Sequence, residues 1–222
     1  QPLRDGRALA RQPYVQLVDA DSASVLWTEN AAHDFLVWRP GETPREVGSR
    51  IEETTFLGAD RAQRQVDLRG LEPGALHCYA LRDEDGALLG PFGFRTAPAS
   101  ADSEIDVMVF GDSGRGFPDQ YVLADQMLTA PVDLIIHTGD IAYPNGTLQE
   151  FEDYTFDVYA DLFSSIPFVP ASGNHDYGTA NAGPYREVFA LPENGGERGH
   201  ERWFSFDWGP AHFVALDTEV NG

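Results

Sequence analysis

Ile105-Asp106-Val107-Met108-Val109-Phe110-Gly111-Asp112-Ser113-Gly114 is the stretch that decides the fold. A short apolar run closing on Gly and an acid reads as a strand covered on both faces, with a polar side chain delivered at its carboxyl end. The pattern returns twice. Asp133 to His137 runs into Thr138-Gly139-Asp140-Ile141-Ala142-Tyr143, and Pro167 to Ala171 runs into Ser172-Gly173-Asn174-His175-Asp176. Helical stretches lie between. Pro118 opens one, in which Leu123 pairs with Met127 and Ala124 with Leu128 at i,i+4. Thr147-Leu148-Gln149-Glu150 is a capping box, and Leu148, Phe151, Thr155, Val158 and Leu162 continue it as one helix face. Strand, helix, strand, helix, strand implies a parallel sheet. Trp203 to Phe206 and His212 to Leu216 read as two further strands.

Upstream the period changes. Thr96 to Ser103 is small and polar and reads as a linker. Before it, Tyr14 to Val18, Ser24 to Thr28, Phe35 to Trp38, Gln65 to Leu68, Leu76 to Leu81 and Pro91 to Thr96 are short strand-like runs between turn signals. That spacing predicts an all-β sandwich. The predicted organisation is a tail over 1–12, a sandwich over 13–97, a linker over 98–104 and an α/β unit over 105–222.

The 222 residues carry 36 Asp and Glu against 15 basic residues, a net charge of −21, and all 15 basic residues are Arg. Without Lys, Schiff-base chemistry, lysine nucleophiles and a P-loop are excluded. Such a charge repels nucleic acid and anionic membranes, so neither is expected as a partner, and it attracts divalent cations. No apolar run approaches the length that spans a bilayer. The single cysteine, Cys78, sits in a strand-like run and reads as a small apolar residue.

Ligands of open α/β sheets bind beyond the carboxyl ends of the strands, where the three loops converge. Asp112, Asp140, Tyr143, Asn174 and His175 then lie together, a set of carboxylate, phenolic and amide oxygens suited to Fe, Zn, Mn or Mg. Taken singly, each Gly-Asp is a turn and Tyr143 is packing. It is the succession of three such strand ends that predicts a metal site.

The strings GDSG, GDIAY and GNHD, 28 residues apart from Asp112 to Asp140 and 34 from Asp140 to Asn174, resemble the first three blocks of the metallophosphoesterase superfamily. The tyrosine three residues after the second Asp resembles its purple acid phosphatase branch. Leu71-Glu72-Pro73-Gly74-Ala75-Leu76 followed by Tyr79, and Gly93-Phe94-Arg95-Thr96-Ala97-Pro98, are similar to the fibronectin type III-like domain that precedes the catalytic domain there. The resemblance implies a fibronectin III-like β-sandwich followed by the first half of a calcineurin-like α/β sandwich. It implies hydrolysis of phosphate monoesters at a dinuclear centre, by in-line attack of metal-activated hydroxide. Two metal ions are implied, Fe(III) with Fe(II), Zn or Mn. Asp112 and Tyr143 would bind the first, Asp140 would bridge both, and Asn174 would bind the second. His175 would act on the phosphate as the catalytic residue, and Asp176 would support its loop. The implied partner is a small phosphate ester, and the implied location is secreted or periplasmic. A phosphodiesterase or phospholipase-type relative, or a secreted binding protein with a decayed site, are the alternatives.

The family also draws histidines from a VxxH and a GHxH block, and no histidine here fits them. His33 and His77 fall in the sandwich, His77 where such domains carry a corner tyrosine. His137 ends a strand as a packing residue, His200 lies in a polar loop, and His212 alternates with Val214 and Leu216 as a buried strand histidine. The expectation is a fragment of a longer enzyme, with the C-terminal half as a further piece and an apolar face exposed where that half would sit. The isolated chain would then bind metal weakly, carrying one ion or none, with its activity reduced or lost.

Overall fold

The computed structural model describes residues 9–196 and 201–219. His200, Asn221 and Gly222 lie outside the described residues.

Eight strands build the first unit: β1 (Leu9–Gln16), β2 (Ser22–Glu29), β3 (Asp34–Trp38), β4 (Arg45–Val47), β5 (Arg50–Ile51), β6 (Ala62–Arg69), β7 (Leu76–Arg82) and β8 (Leu88–Arg95). They form two antiparallel sheets, β1-β2-β6-β5 and β4-β3-β7-β8. The core between them holds Val15, Val25, Trp27, Phe35, Val37, Val66, Leu68, Tyr79, Leu81 and Phe94. Trp27, Phe35 and Tyr79 stack in series, with ring centres 5.9 and 5.5 Å apart. The short β4 and β5 carry too few residues to show an alternation, and the sequence reading passes over them. His77 is buried in the place of the corner tyrosine, and its Nε2 lies 3.4 Å from the carbonyl of Glu72, so the corner keeps its tie.

The second unit follows as β9 (Val107–Phe110), α1 (Pro118–Met127), β10 (Leu134–His137), α2 (Leu148–Phe151), α3 (Ala160–Phe163), β11 (Phe168–Pro170), α4 (Gly183–Val188), β12 (Phe204–Trp208) and β13 (Ala211–Ala215). Strands β9, β10 and β11 are parallel, in the order β11-β10-β9. Period-2 alternation divides their faces. Met108, Ile135 and Phe168 pack with the helices, while Val107, Leu134 and Ile136 pack against Trp208, Phe206 and Phe213 of the β12-β13 hairpin.

Three readings are corrected here. The face from Leu148 to Leu162 is not one helix: a π-helical turn over Glu152–Phe156 separates α2 from α3. The wider turn carries Glu152 into the interior, where Arg11 meets it. The capping box itself forms, with both reciprocal bonds between Thr147 and Glu150. His212 is exposed and pairs with Asp207 at 2.7 Å. The run His212 to Leu216 has apolar residues on both phases, and the stack of Phe213 on Phe206, 5.0 Å between centres, selects the phase that turns His212 outward. The first strand of the parallel sheet is not covered on both faces: Val109 of β9 is 59% exposed. Leu123, Leu128, Val214 and Leu216 are exposed as well, so this unit does present apolar side chains to the outside.

Strand β1 begins at Leu9, inside the stretch read as a tail, because the second unit needs it. Every residue of β2 is buried, since one face of its sheet closes the sandwich while Tyr14 and Leu26 on the other join the core of the α/β unit. Polar anchors hold the junction. The Arg11 guanidinium donates to both carboxylate oxygens of Glu152, at 3.1 and 2.6 Å, and to Gln63 at 3.0 Å, above the ring of Phe156. The Tyr79 hydroxyl donates to the carbonyl of Ser164 at 2.7 Å. Gln16 bonds the backbone of Phe168 and Ala190. The Glu187 carboxylate accepts the backbone N–H groups of Thr55, Phe56 and Leu57. Among the described residues, no helix is long and apolar enough to cross a membrane.

Candidate metal centre

The loops after β9, β10 and β11 meet because their glycines let backbone touch backbone. A Cβ on Gly114 would overlap the carbonyl of Ile141, and one on Gly173 would overlap the main chain and carboxylate of Asp140. Gly139 also turns the chain, at φ +112°, while Gly114 and Gly173 serve close approach. The turn is made partly by the aspartates themselves, which adopt left-handed backbone at φ +55° for Asp112 and +57° for Asp140. Such conformations cost of order 1 kcal/mol or more and recur at functional sites. We expect Gly114→Ala to destabilise the fold by about 1–3 kcal/mol, read from its thermal unfolding midpoint, because the overlap is with backbone and has no flexible side chain to give way. An unchanged midpoint would contradict the packing described.

Tyr143 is the hub. Its hydroxyl lies 2.7 Å from Asp112 Oδ1 and 2.9 Å from Asp140 Oδ2, so two carboxylates and a phenol share one point. Burial, together with the hydrogen bonds that the hydroxyl donates to the two carboxylates, pushes the phenol up from its ordinary value, and a hydrogen bond with Arg115 opposes the shift. The His175 imidazole centre is 4.2 Å from the Tyr143 ring centre, and the Arg115 guanidinium carbon is 4.1 Å from it. His175 Nδ1 is 2.7 Å from the carbonyl of Pro144. A carbonyl only accepts, so Nδ1 carries the proton and Nε2 is the end left for chemistry. The backbone N–H of His175 donates to Asp140 Oδ1 at 2.9 Å. Asn174 stands between Gly173 and His175, both in touch with Asp140, and its own side chain is exposed and makes no hydrogen bond among the described residues.

Asp176 is fully buried and accepts the backbone N–H groups of Ile141, Ala142 and Gly173, tying the second loop to the third. Burial, partly offset by those three donors, pushes its carboxyl up to about 6. His137 is buried too, with Nε2 at 2.9 Å from Ser113 Oγ and Nδ1 accepting from Gly139 N. Burial brings its imidazole down to about 3, so it stays neutral and serves as a strut between the first two loops.

The arrangement suits a hard cation. Three oxygens, two of them anionic, already converge, and a cation displacing the phenolic proton would meet the same three atoms. Among the described residues, no three His, Cys, Asp or Glu side chains gather as a metal cluster, so the ligand set offered here is oxygen-rich and short of nitrogen. Arg115 escaped the sequence reading, although it stands in the same string as Asp112, Gly111-Asp112-Ser113-Gly114-Arg115.

Residues 105–215 match the calcineurin-like phosphoesterase family. The chain is 28% identical to the protein named probable inactive purple acid phosphatase 27 of Arabidopsis thaliana, covering 90% of this chain and 40% of that protein. It is 29% identical to acid phosphatase type 7 of Mus musculus, covering 92% and 47%. It is 26% identical to a nucleotide pyrophosphatase/phosphodiesterase of Hordeum vulgare, covering 58% and 42%. The chain thus spans less than half the length of these relatives. Its fold matches that in a structure of PhoD with a TM-score of 0.70, at 16% identity, over 98% of this chain and 53% of the other. With parallel strands ending in this site and half its length matched by the family, the chain belongs to the calcineurin-like phosphoesterases, and its relatives include purple acid phosphatases.

Proposed function

We propose that this chain supplies the carboxylate and phenolic side of a dinuclear centre that hydrolyses phosphate monoesters. Membership of the family supports phosphoester hydrolysis with divalent metal ions. The observation that carries the finer reading is the Tyr143 hydroxyl held between Asp112 and Asp140. In this reading Asp112 and Tyr143 would hold one ion, Asp140 would serve both, and Asn174 would offer its amide oxygen to the other. Metal ions held there would supply Lewis acidity toward the phosphoryl oxygens and a nucleophile drawn from water near neutral pH. A phenolate ligand favours a trivalent ion, so Fe(III) is proposed in the first place and Fe(II), Zn or Mn in the second. His175, with its Nδ1–H fixed by Pro144, presents Nε2 to the leaving oxygen and, as the imidazolium, would give it the Nε2 proton and be left as the neutral ring. Asp176 and His137 hold the loops still while this happens. The proposed location, secreted or periplasmic, rests on the likeness to purple acid phosphatases.

The barley relative favours a second reading, in which the ester is a phosphodiester. Titrating Mn(II) or Zn(II) into the chain calorimetrically, and measuring turnover of an aryl phosphate monoester against a diaryl diester, separates the two. We expect weak metal binding, with the monoester preferred. Asp140→Asn should lower turnover more than about a hundredfold and weaken metal binding, because a shared ligand serves both ions. Metal affinity and turnover equal to the parent's in that variant would sink the two-metal reading.

A further inference from the structure

Arg115 is the only Arg or Lys between Thr96 and Tyr185, a span that carries fourteen Asp and Glu. A lone cation in so acidic a region usually neutralises a carboxylate. Arg115 does not: among the described residues no carboxylate pairs with it. It rests instead on the ring of Tyr143, with its guanidinium carbon 4.1 Å from the ring centre. Its backbone is fixed as well. The buried Gln120 accepts the N–H groups of Arg115 and Gly116 at 3.2 and 2.7 Å, and is itself anchored to the carbonyl of Tyr154 at 2.6 Å.

A guanidinium carries five N–H donors, and one resting on an aromatic ring still has donors left with which to bind carboxylate or phosphate oxygens two at a time. The Tyr143 ring fixes where the guanidinium lies, and the Gln120 anchor sets the point from which the side chain starts. The same ring carries His175 on its flank, and the ring's hydroxyl marks where the two aspartates meet. Arg115 and His175 thus flank, on one ring, the point where Asp112 and Asp140 meet.

We propose that Arg115 is a substrate-binding residue of this site, whose guanidinium fork takes two oxygens of the phosphoryl group. This rests on the phosphoesterase reading and adds a recognition element to it. No bond is made or broken by Arg115; it binds phosphate in ester and product alike. Its loss should therefore raise KM and leave kcat nearly unchanged.

The test measures the affinity of inorganic phosphate for the chain at saturating Mg(II), by titration calorimetry, with KM and kcat for an aryl phosphate in parallel. Arg115→Gln should weaken phosphate about tenfold to a hundredfold, the worth of charge-assisted hydrogen bonds, with metal affinity undiminished. Arg115→Lys should recover only part of the loss, since a point charge lacks the fork and the stack. It also carries the comparison if Arg115→Gln fails to fold. Phosphate affinity in either variant equal to that of the parent overturns the proposal, as does a parent chain that binds no phosphate with metal present. Arg115-dependent phosphate binding without turnover of any ester would leave the anion site standing and remove the hydrolase reading. Metal-dependent turnover with KM indifferent to Arg115 would do the reverse.

Discussion

Replacing Arg11 with Met should cost about 3–5 kcal/mol of stability, because it strands the Glu152 carboxylate in the interior. Arg11 is 2% exposed and satisfies Glu152, Gln63 and Tyr14 at once, while its guanidinium carbon lies 4.2 Å from the ring centre of Phe156. Urea unfolding gives the number directly. The pair Arg11→Met with Glu152→Leu should recover most of it, since a buried ion pair is usually replaceable by apolar packing when both charges leave together. A single variant within about 1 kcal/mol of the parent would mean that the carboxylate finds water or a new partner, and that the junction is looser than described.

Asp176→Ala should be as severe, and it reaches function too. The change leaves the N–H groups of Ile141, Ala142 and Gly173 without acceptors, at about 1–3 kcal/mol for each one that stays buried, so at least about 3 kcal/mol if all three do. Because those groups join the loop of Asp140 to the loop of Asn174, metal affinity should fall about tenfold to a hundredfold even where the chain stays folded. Asp176→Asn keeps one acceptor and should lie between Ala and the parent. Unfolding midpoints and metal titrations of the three proteins check the order. An Ala variant that binds metal like the parent would show that the loops hold each other without this carboxylate.

The residues themselves explain what could be read in advance. The strand ends were legible because a run such as Val107 to Phe110 followed by Gly111-Asp112 admits few structures, and three such runs in succession admit fewer still. The capping box was legible because all its partners lie within four residues. The π-helical turn was not, because what selects it is Arg11, a residue 141 positions from Glu152. The phase of β13 was not, because Val214 and Leu216 are as apolar as Phe213, and only the partner strand chooses between them. The left-handed aspartates were hidden behind their glycine neighbours, which are more usual holders of positive φ. Arg115 was hidden by its own ordinariness: an arginine after a loop glycine signals nothing until a tyrosine ring is found beneath it.

The full burial of β2 has a consequence for how the chain is made. Synthesis proceeds from the N-terminus, so the sandwich leaves the ribosome with Tyr14, Leu26 and Arg11 still waiting for their cover. Glu152 follows Arg11 by 141 residues, and Val188, whose carbonyl takes the Tyr14 hydroxyl, follows Tyr14 by 174. At roughly 5–20 residues per second, that sheet face stays wet for about 7–28 s before even Glu152 is synthesised. During that interval the newborn chain presents a sheet face on which Tyr14 and Leu26 stand among Gln16, Ser24, Thr28, Gln63 and Gln65, with a charged arginine at its margin. The arginine then acts as a gatekeeper against sticking to neighbouring chains before it becomes a buried anchor.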